Sequence, residues 1–129
     1  MDPKYKYKFI FYYSQWNQRS DLLDFITHYR LLKENESYLD AVVELKEFDG
    51  KSLTELIGLA TSLRSSYLKT KKLKIPYPTL IVYKGNKPIA FYPAKRKTKH
   101  GSREIDIKQA VESILFDRKI IHFDFELYL

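Results

Sequence analysis

Between Tyr5 and Tyr13 large and charged side chains take turns: Tyr5, Tyr7, Phe9, Phe11 and Tyr13 sit at alternate positions, with Lys4, Lys6 and Lys8 on the other set. A period of two predicts a β-strand. At Ile10 and Tyr12 the second set turns apolar as well, as in a strand entering a sheet covered on both faces. After a polar break at 14–20, Leu22, Phe25, Ile26, Tyr29 and Leu32 recur at three- and four-residue steps, which predicts a helix closed by Lys33-Glu34-Asn35-Glu36-Ser37. Alternation returns from about Tyr38 to Lys46, with Leu39, Ala41, Val43 and Leu45 on one face of a second strand. Beyond Asp49-Gly50, Ser52 and Glu55 have the spacing of a capping box. Leu53, Leu56, Ile57, Ala60, Leu63 and Tyr67 continue it as a second helix.

A basic connector, Lys69 to Lys74, leads to Ile75-Pro76-Tyr77-Pro78. Thr79 to Tyr83 and Ile89 to Tyr92 read as two short strands joined through Lys84-Gly85-Asn86-Lys87, a hairpin by its turn chemistry. Pro93 to Glu104 reads as a polar, strongly basic loop. Asp106 is placed to cap a last helix with Ile107, Ala110, Val111, Ile114 and Leu115 on one stripe. From Ile121 to the end, Ile121, Phe123, Phe125, Leu127 and Leu129 alternate with His122, Asp124, Glu126 and Tyr128, which predicts one terminal strand. No repeat or linker divides the chain. It reads as a single domain over 1–129, with a core at about 5–118 and a strand extension at 119–129. A helix between the first two strands makes a right-handed crossover, so those strands should be parallel, and the hairpin adds antiparallel ones.

The chain's 129 residues can bury a core without disulfides or metals. It carries eleven Tyr and eight Phe against one Trp, and Tyr on half-exposed strands suits surfaces that meet partners. The net charge of +7 attracts nucleic acid, acidic proteins or anionic membrane surfaces. No apolar run is long enough for a membrane span, and Met1-Asp2-Pro3-Lys4 lacks the apolar core of a signal peptide, so the expected location is intracellular, cytoplasm or nucleus. There is no cysteine, which excludes disulfides, thiolate metal sites and cysteine nucleophiles together.

Candidate chemistry is sparse. His28, His100 and His122 share no metal-site spacing and no acidic cluster, and no Gly-rich phosphate loop exists, so no metal or cofactor is expected. Glu47 and Asp49 near a strand end are ordinary for a sheet protein. The segment Pro93–Glu104 is more informative. Lys95, Arg96, Lys97, Lys99 and Arg103 form a basic contact loop that is either simply solvated or meets phosphates, an acidic protein face or an import receptor. No aromatic lies among them to stack a base, so nucleic-acid contact would run through phosphates. Phe123, Phe125, Leu127 and Leu129 form an apolar row that either pairs in its own sheet or adds to a partner chain, since an open edge of that kind is costly.

Two segments in this order resemble the thioredoxin superfamily. In Phe11-Tyr12-Tyr13-Ser14-Gln15-Trp16-Asn17-Gln18-Arg19-Ser20, Trp16 matches the family's Trp, while Asn17 and Ser20 stand where its two cysteines would be. Tyr77-Pro78-Thr79-Leu80-Ile81-Val82-Tyr83 followed by Lys84-Gly85-Asn86-Lys87 is similar to the family's cis-proline strand and the hairpin after it, with Pro78 as the cis-proline position. The resemblance covers roughly 5–118. It implies a three-layer α/β thioredoxin-like fold, a mixed sheet with helices on both faces, here with a C-terminal strand extension. The family's redox chemistry is absent, because Asn17 cannot ionise and Ser20 has no evident base beside it. Both are good helix N-caps.

The expected function is that of a non-catalytic structural or protein-interaction component in a larger assembly. The Lys-, Ile- and Tyr-rich composition without Cys resembles proteins of AT-rich large DNA viruses, where such a domain would serve as a minor capsid or virion protein. The alternatives are a cellular redox-dead thioredoxin-like adaptor and a basic nucleic-acid-binding accessory protein.

Overall fold

The computed structural model describes residues 5–13, 19–47, 78–92, 94–121 and 126–128; at 19–21, 94–98, 102–103 and 126–128 it describes the backbone. The helix predicted from Ser52 to Tyr67 lies outside the described residues. Four strands form the main sheet: β1 (Tyr7–Tyr13), β2 (Ala41–Glu47), β3 (Thr79–Lys84) and β4 (Lys87–Tyr92), in the order β2-β1-β3-β4. As the crossover rule requires, β1 and β2 are parallel, in register from Tyr7↔Ala41 to Tyr13↔Glu47. β3 runs antiparallel to β1, and β4 antiparallel to β3. The fold is therefore mixed α/β with a four-stranded mixed sheet.

Between β1 and β2 the chain forms α1 (Arg19–Glu34) and a short α2 (Glu36–Leu39). The sequence places a strand from Tyr38; in the structure Tyr38 and Leu39 still belong to α2. The chain turns into β2 only after Asp40, whose φ of 52° is the left-handed cap that stops the helix. Leu39 therefore reaches the core from a helix, while Leu45, expected on the same buried face as Ala41 and Val43, is exposed.

The alternation in β1 places its side chains as predicted. Tyr7, Phe9 and Phe11 face one side, where they join Ala41 and Val43 of β2, Leu80 and Val82 of β3, and Ala90 and Tyr92 of β4 in one buried cluster. Phe25 and Leu32 of α1 pack onto that face. Phe25 and Tyr29 meet the Phe11 ring edge-on at centroid distances of 5.3 and 5.7 Å. The opposite face carries Ile10, Tyr12, Ile81 and Phe91, also buried, so β1 and β3 are apolar on both sides, as central strands should be.

The β3–β4 hairpin turns through Gly85-Asn86, with Gly85 at φ 62°, a value that glycine adopts without steric cost. A bulge between Val82 and Tyr83 shifts the register so that Pro88 lies opposite Tyr83. Pro88 is tolerated because β4 is an edge strand, where a missing N–H breaks no ladder. Beyond β4 the chain forms a separate ribbon, β5 (Ala94–Thr98) and β6 (Gly101–Ile105).

The last helix, α3 (Ile107–Glu112), starts as the sequence predicts. Asp106 accepts a hydrogen bond from the Gln109 backbone at 2.8 Å, and the Gln109 side chain accepts from the Asp106 N–H at 3.0 Å, completing a capping box. Ala110, Val111 and Ile114 are buried, and Ile107 and Leu115 pack beside them. The helix then widens into one π-helical turn, Ser113–Asp117, which leaves Phe116 78% exposed.

The predicted single terminal strand is instead two: β7 (Lys119–Ile121) and β8 (Glu126–Tyr128), antiparallel, with Ile120 opposite Leu127. A period of two marks extended chain but does not reveal where the chain doubles back. On one edge, β8 pairs with β7 of its own chain. Phe123, Phe125 and Leu129 lie outside the described residues. Ile120 is fully buried, and the Tyr92 hydroxyl donates to the Ile121 carbonyl, tying β7 to the main sheet.

Burial pushes the Tyr92 phenol well above its ordinary value near 10. Above pH 10 the unfolded chain sheds this proton while the folded chain keeps it. Its contribution is therefore complete below about pH 10 and is lost as pH rises, at up to about 1.4 kcal/mol per unit. Urea unfolding from pH 8 to 11.5 should show the parent losing stability faster above pH 10 than Tyr92→Phe, with no such difference below it. Parallel curves across the range would refute the assignment.

Candidate functional site

The resemblance would put sulfur chemistry at the C-terminal end of β1. The register sets Tyr12 opposite Thr79 and Tyr13 opposite Glu47, so Pro78, immediately before β3, stands beside that end. Thr79 and Tyr12 are buried and both have partners. Trp16, Asn17 and the Tyr77–Pro78 peptide bond lie outside the described residues. Ser20 is the second residue of α1. Among the described residues no group of three His, Asp or Glu could hold a metal ion. His28 is half-buried on α1, and His100 is exposed on a turn. His122 lies outside the described residues.

The segment 94–105 departs most from what the sequence predicts. In place of a basic loop the chain forms the antiparallel β5–β6 ribbon, turning at Lys99-His100, with Gly101 at φ 129°. The ladder sets Lys95 opposite Glu104, Arg96 opposite Arg103 and Lys97 opposite Ser102. No signal in the side chains announces these strands. From Lys95 to Glu104 there is no apolar residue, hence no hydrophobic alternation, and the pairing rests on backbone hydrogen bonds. β5 and β6 form a sheet of their own, bonded to no other described strand. At its base Ile105 is buried in the core, which anchors the ribbon to the domain.

Like charges directly opposite one another weaken an antiparallel pair. The register places two arginines, Arg96 and Arg103, at opposed positions of this ladder. The ribbon concentrates Lys95, Arg96, Lys97, Lys99 and Arg103 against the single acid Glu104.

Among the described residues the main sheet ends at β2 and β4, and both of these edges are obstructed. On β2, Val43 turns its N–H and carbonyl away from β1. The N–H donates to Glu36 Oε2 at 2.8 Å, and the carbonyl accepts from Lys33 Nζ at 3.2 Å. Lys33 and Glu36 also pair with each other at 3.3 Å. These two side chains occupy the hydrogen-bonding groups that an added strand would need. On β4, Pro88 has no N–H to offer. In the sequence Lys33 and Glu36 read only as the polar end of a helix. Their role depends on β2 being an edge, and no local pattern encodes that.

Two hollows indent the described surface. One of about 230 Å³ lies at the N-terminal end of β1, lined by Tyr5, Tyr7, Lys8, Glu44 and Asn86. Its one carboxylate, Glu44, lies 3.8 Å from Lys8 and 3.5 Å from Lys46, and its Oε2 is buried without a hydrogen-bond partner. The second, about 330 Å³, lies between α1 and the π turn, lined by His28, Leu31, Asn35, Leu115 and Phe116. Both fall at or near the small end of ligand pockets. No described helix is long and apolar enough to cross a membrane. Comparison with family models, characterised proteins and solved structures yields no match for the chain.

Proposed function

We propose that the chain is a non-catalytic contact domain on a thioredoxin-like core, a structural or adaptor component of a larger assembly. The observation that carries this reading is a sheet of the kind the resemblance implies in a chain without cysteine. β1 and β2 are parallel, a β3–β4 hairpin lies antiparallel beside β1, and Pro78 stands before β3. With no sulfur nucleophile at the end of β1, contact surfaces are what remain to account for the scaffold. The Lys-, Ile- and Tyr-rich composition supports a large DNA virus as the setting, with the chain as a minor capsid or virion protein.

Quantitative mass spectrometry of assemblies purified from the native source tests this. The chain should be present at a fixed ratio to an identified structural component and stay with it through successive purification steps. A chain found only free, or one that turns over a substrate, would overturn the reading.

A further inference from the structure

We propose that the β5–β6 ribbon is a binding site for duplex DNA, gripping its phosphates without regard to sequence. This deepens the reading of a contact domain, on which it rests, by naming what one of its surfaces contacts. Three observations favour it over a protein partner. First, protein interfaces draw their affinity from aromatic and apolar anchors and are depleted in Lys. The ten residues from Lys95 to Glu104 contain no apolar side chain and three Lys, so a protein would find charge there but no anchor. Second, the ladder sets Arg96 against Arg103, a like-charge pair that a polyanion stabilises. Third, the ribbon is a separate two-stranded element, and a B-form major groove about 12 Å wide admits one.

Composition also favours duplex over single strand. Non-specific single-strand binders stack bases on aromatic rings, and residues 94–104 include no Phe, Tyr or Trp. Five-residue strands at about 3.4 Å per residue give a ribbon of roughly 17 Å, alongside which a duplex presents roughly ten charges. Alternation divides the cations between the two faces, Lys95 and Lys97 on one and Arg96 and Arg103 on the other, so with Lys99 of the turn one face would engage about three of them.

Fluorescence anisotropy of the full chain with two labelled 20-base-pair duplexes of unrelated sequence tests the proposal. Both should bind alike. The slope of log K against log salt should be about −2.7, so affinity should fall roughly 40-fold between 50 and 200 mM NaCl. Lys95→Glu, Arg96→Glu and Lys97→Glu together should abolish binding at 50 mM while the circular dichroism spectrum is retained. The charge-matched set Lys84→Glu, Lys87→Glu and Lys108→Glu, exposed elsewhere, should lose less than tenfold. Should the ribbon variant misfold, the single substitutions Arg96→Gln and Arg103→Gln decide instead, since each should lower the parent's salt slope by about 0.9. A slope near zero, equal losses in both variant sets, or tighter binding to single strands or to poly-glutamate would overturn the proposal. The contact-domain reading would survive such failure if the chain still purified at fixed ratio in its assembly, so the two fail separately.

Discussion

Replacing Phe11 with alanine is expected to remove about 3–5 kcal/mol of folding stability. The Phe11 ring is fully buried at the middle of β1 and is met edge-on by Phe25 and Tyr29 of α1. Truncation would open a cavity bounded by strands on one side and a helix on the other, and paired strands give little room for collapse. Against a typical domain stability of about 5–15 kcal/mol, the loss is a large fraction and should lower Tm by roughly 10–20 °C. Phe116→Ala is the internal comparison. Its ring is 78% exposed on the π turn, so the change should stay within about 0.5 kcal/mol. Urea denaturation of both variants measures the difference. A Phe116 variant as damaged as the Phe11 variant would mean that the core is not where the packing puts it.

The two phenylalanines also mark what the sequence makes legible. Phe11 belongs to an alternating row whose other set turns apolar at Ile10 and Tyr12, and that pattern alone identifies a strand covered on both faces. The stripe of Ala110, Val111 and Ile114 locates the buried side of α3 in the same way, and Phe116 falls outside it. Burial drives both patterns, so the side chains record them.

The candidate site is legible only as a composition. The run from Lys95 to Arg103 is conspicuous for charge, but two strands whose pairing depends on backbone groups leave no trace in apolar periodicity. The sequence therefore reads as a loop. The tail fails differently: its alternation is real, yet it does not show that β7 and β8 pair with each other or that Ile120 is buried in the core, which are tertiary facts. Asp40 shows the same limit at short range. A single left-handed residue ends α2 and sets the start of β2 two to three residues later than alternation suggests.

Edge protection explains why the ribbon, and not the main sheet, carries the proposed contact, and it yields the second large effect. Glu36→Ala should convert β2 into an adhesive edge. The substitution leaves the Val43 N–H without its acceptor and frees Lys33 from the ion pair that holds it over the Val43 carbonyl, so both groups become available to another strand. The expected cost in stability is about 1–3 kcal/mol for a backbone donor deprived of its charged partner. The larger change should be in association, seen as a light-scattering mass that rises with concentration in the variant while the parent's stays constant. Glu36→Gln separates the two parts of the clamp. An amide oxygen can still accept from Val43, while the ion pair with Lys33 is lost. Since both side chains are partly exposed, that pair alone contributes under about 1 kcal/mol. The glutamine variant should therefore keep the parent's constant mass. If alanine at 36 also left the mass unchanged, the hydrogen bonds to Val43 would not be what keeps this edge closed.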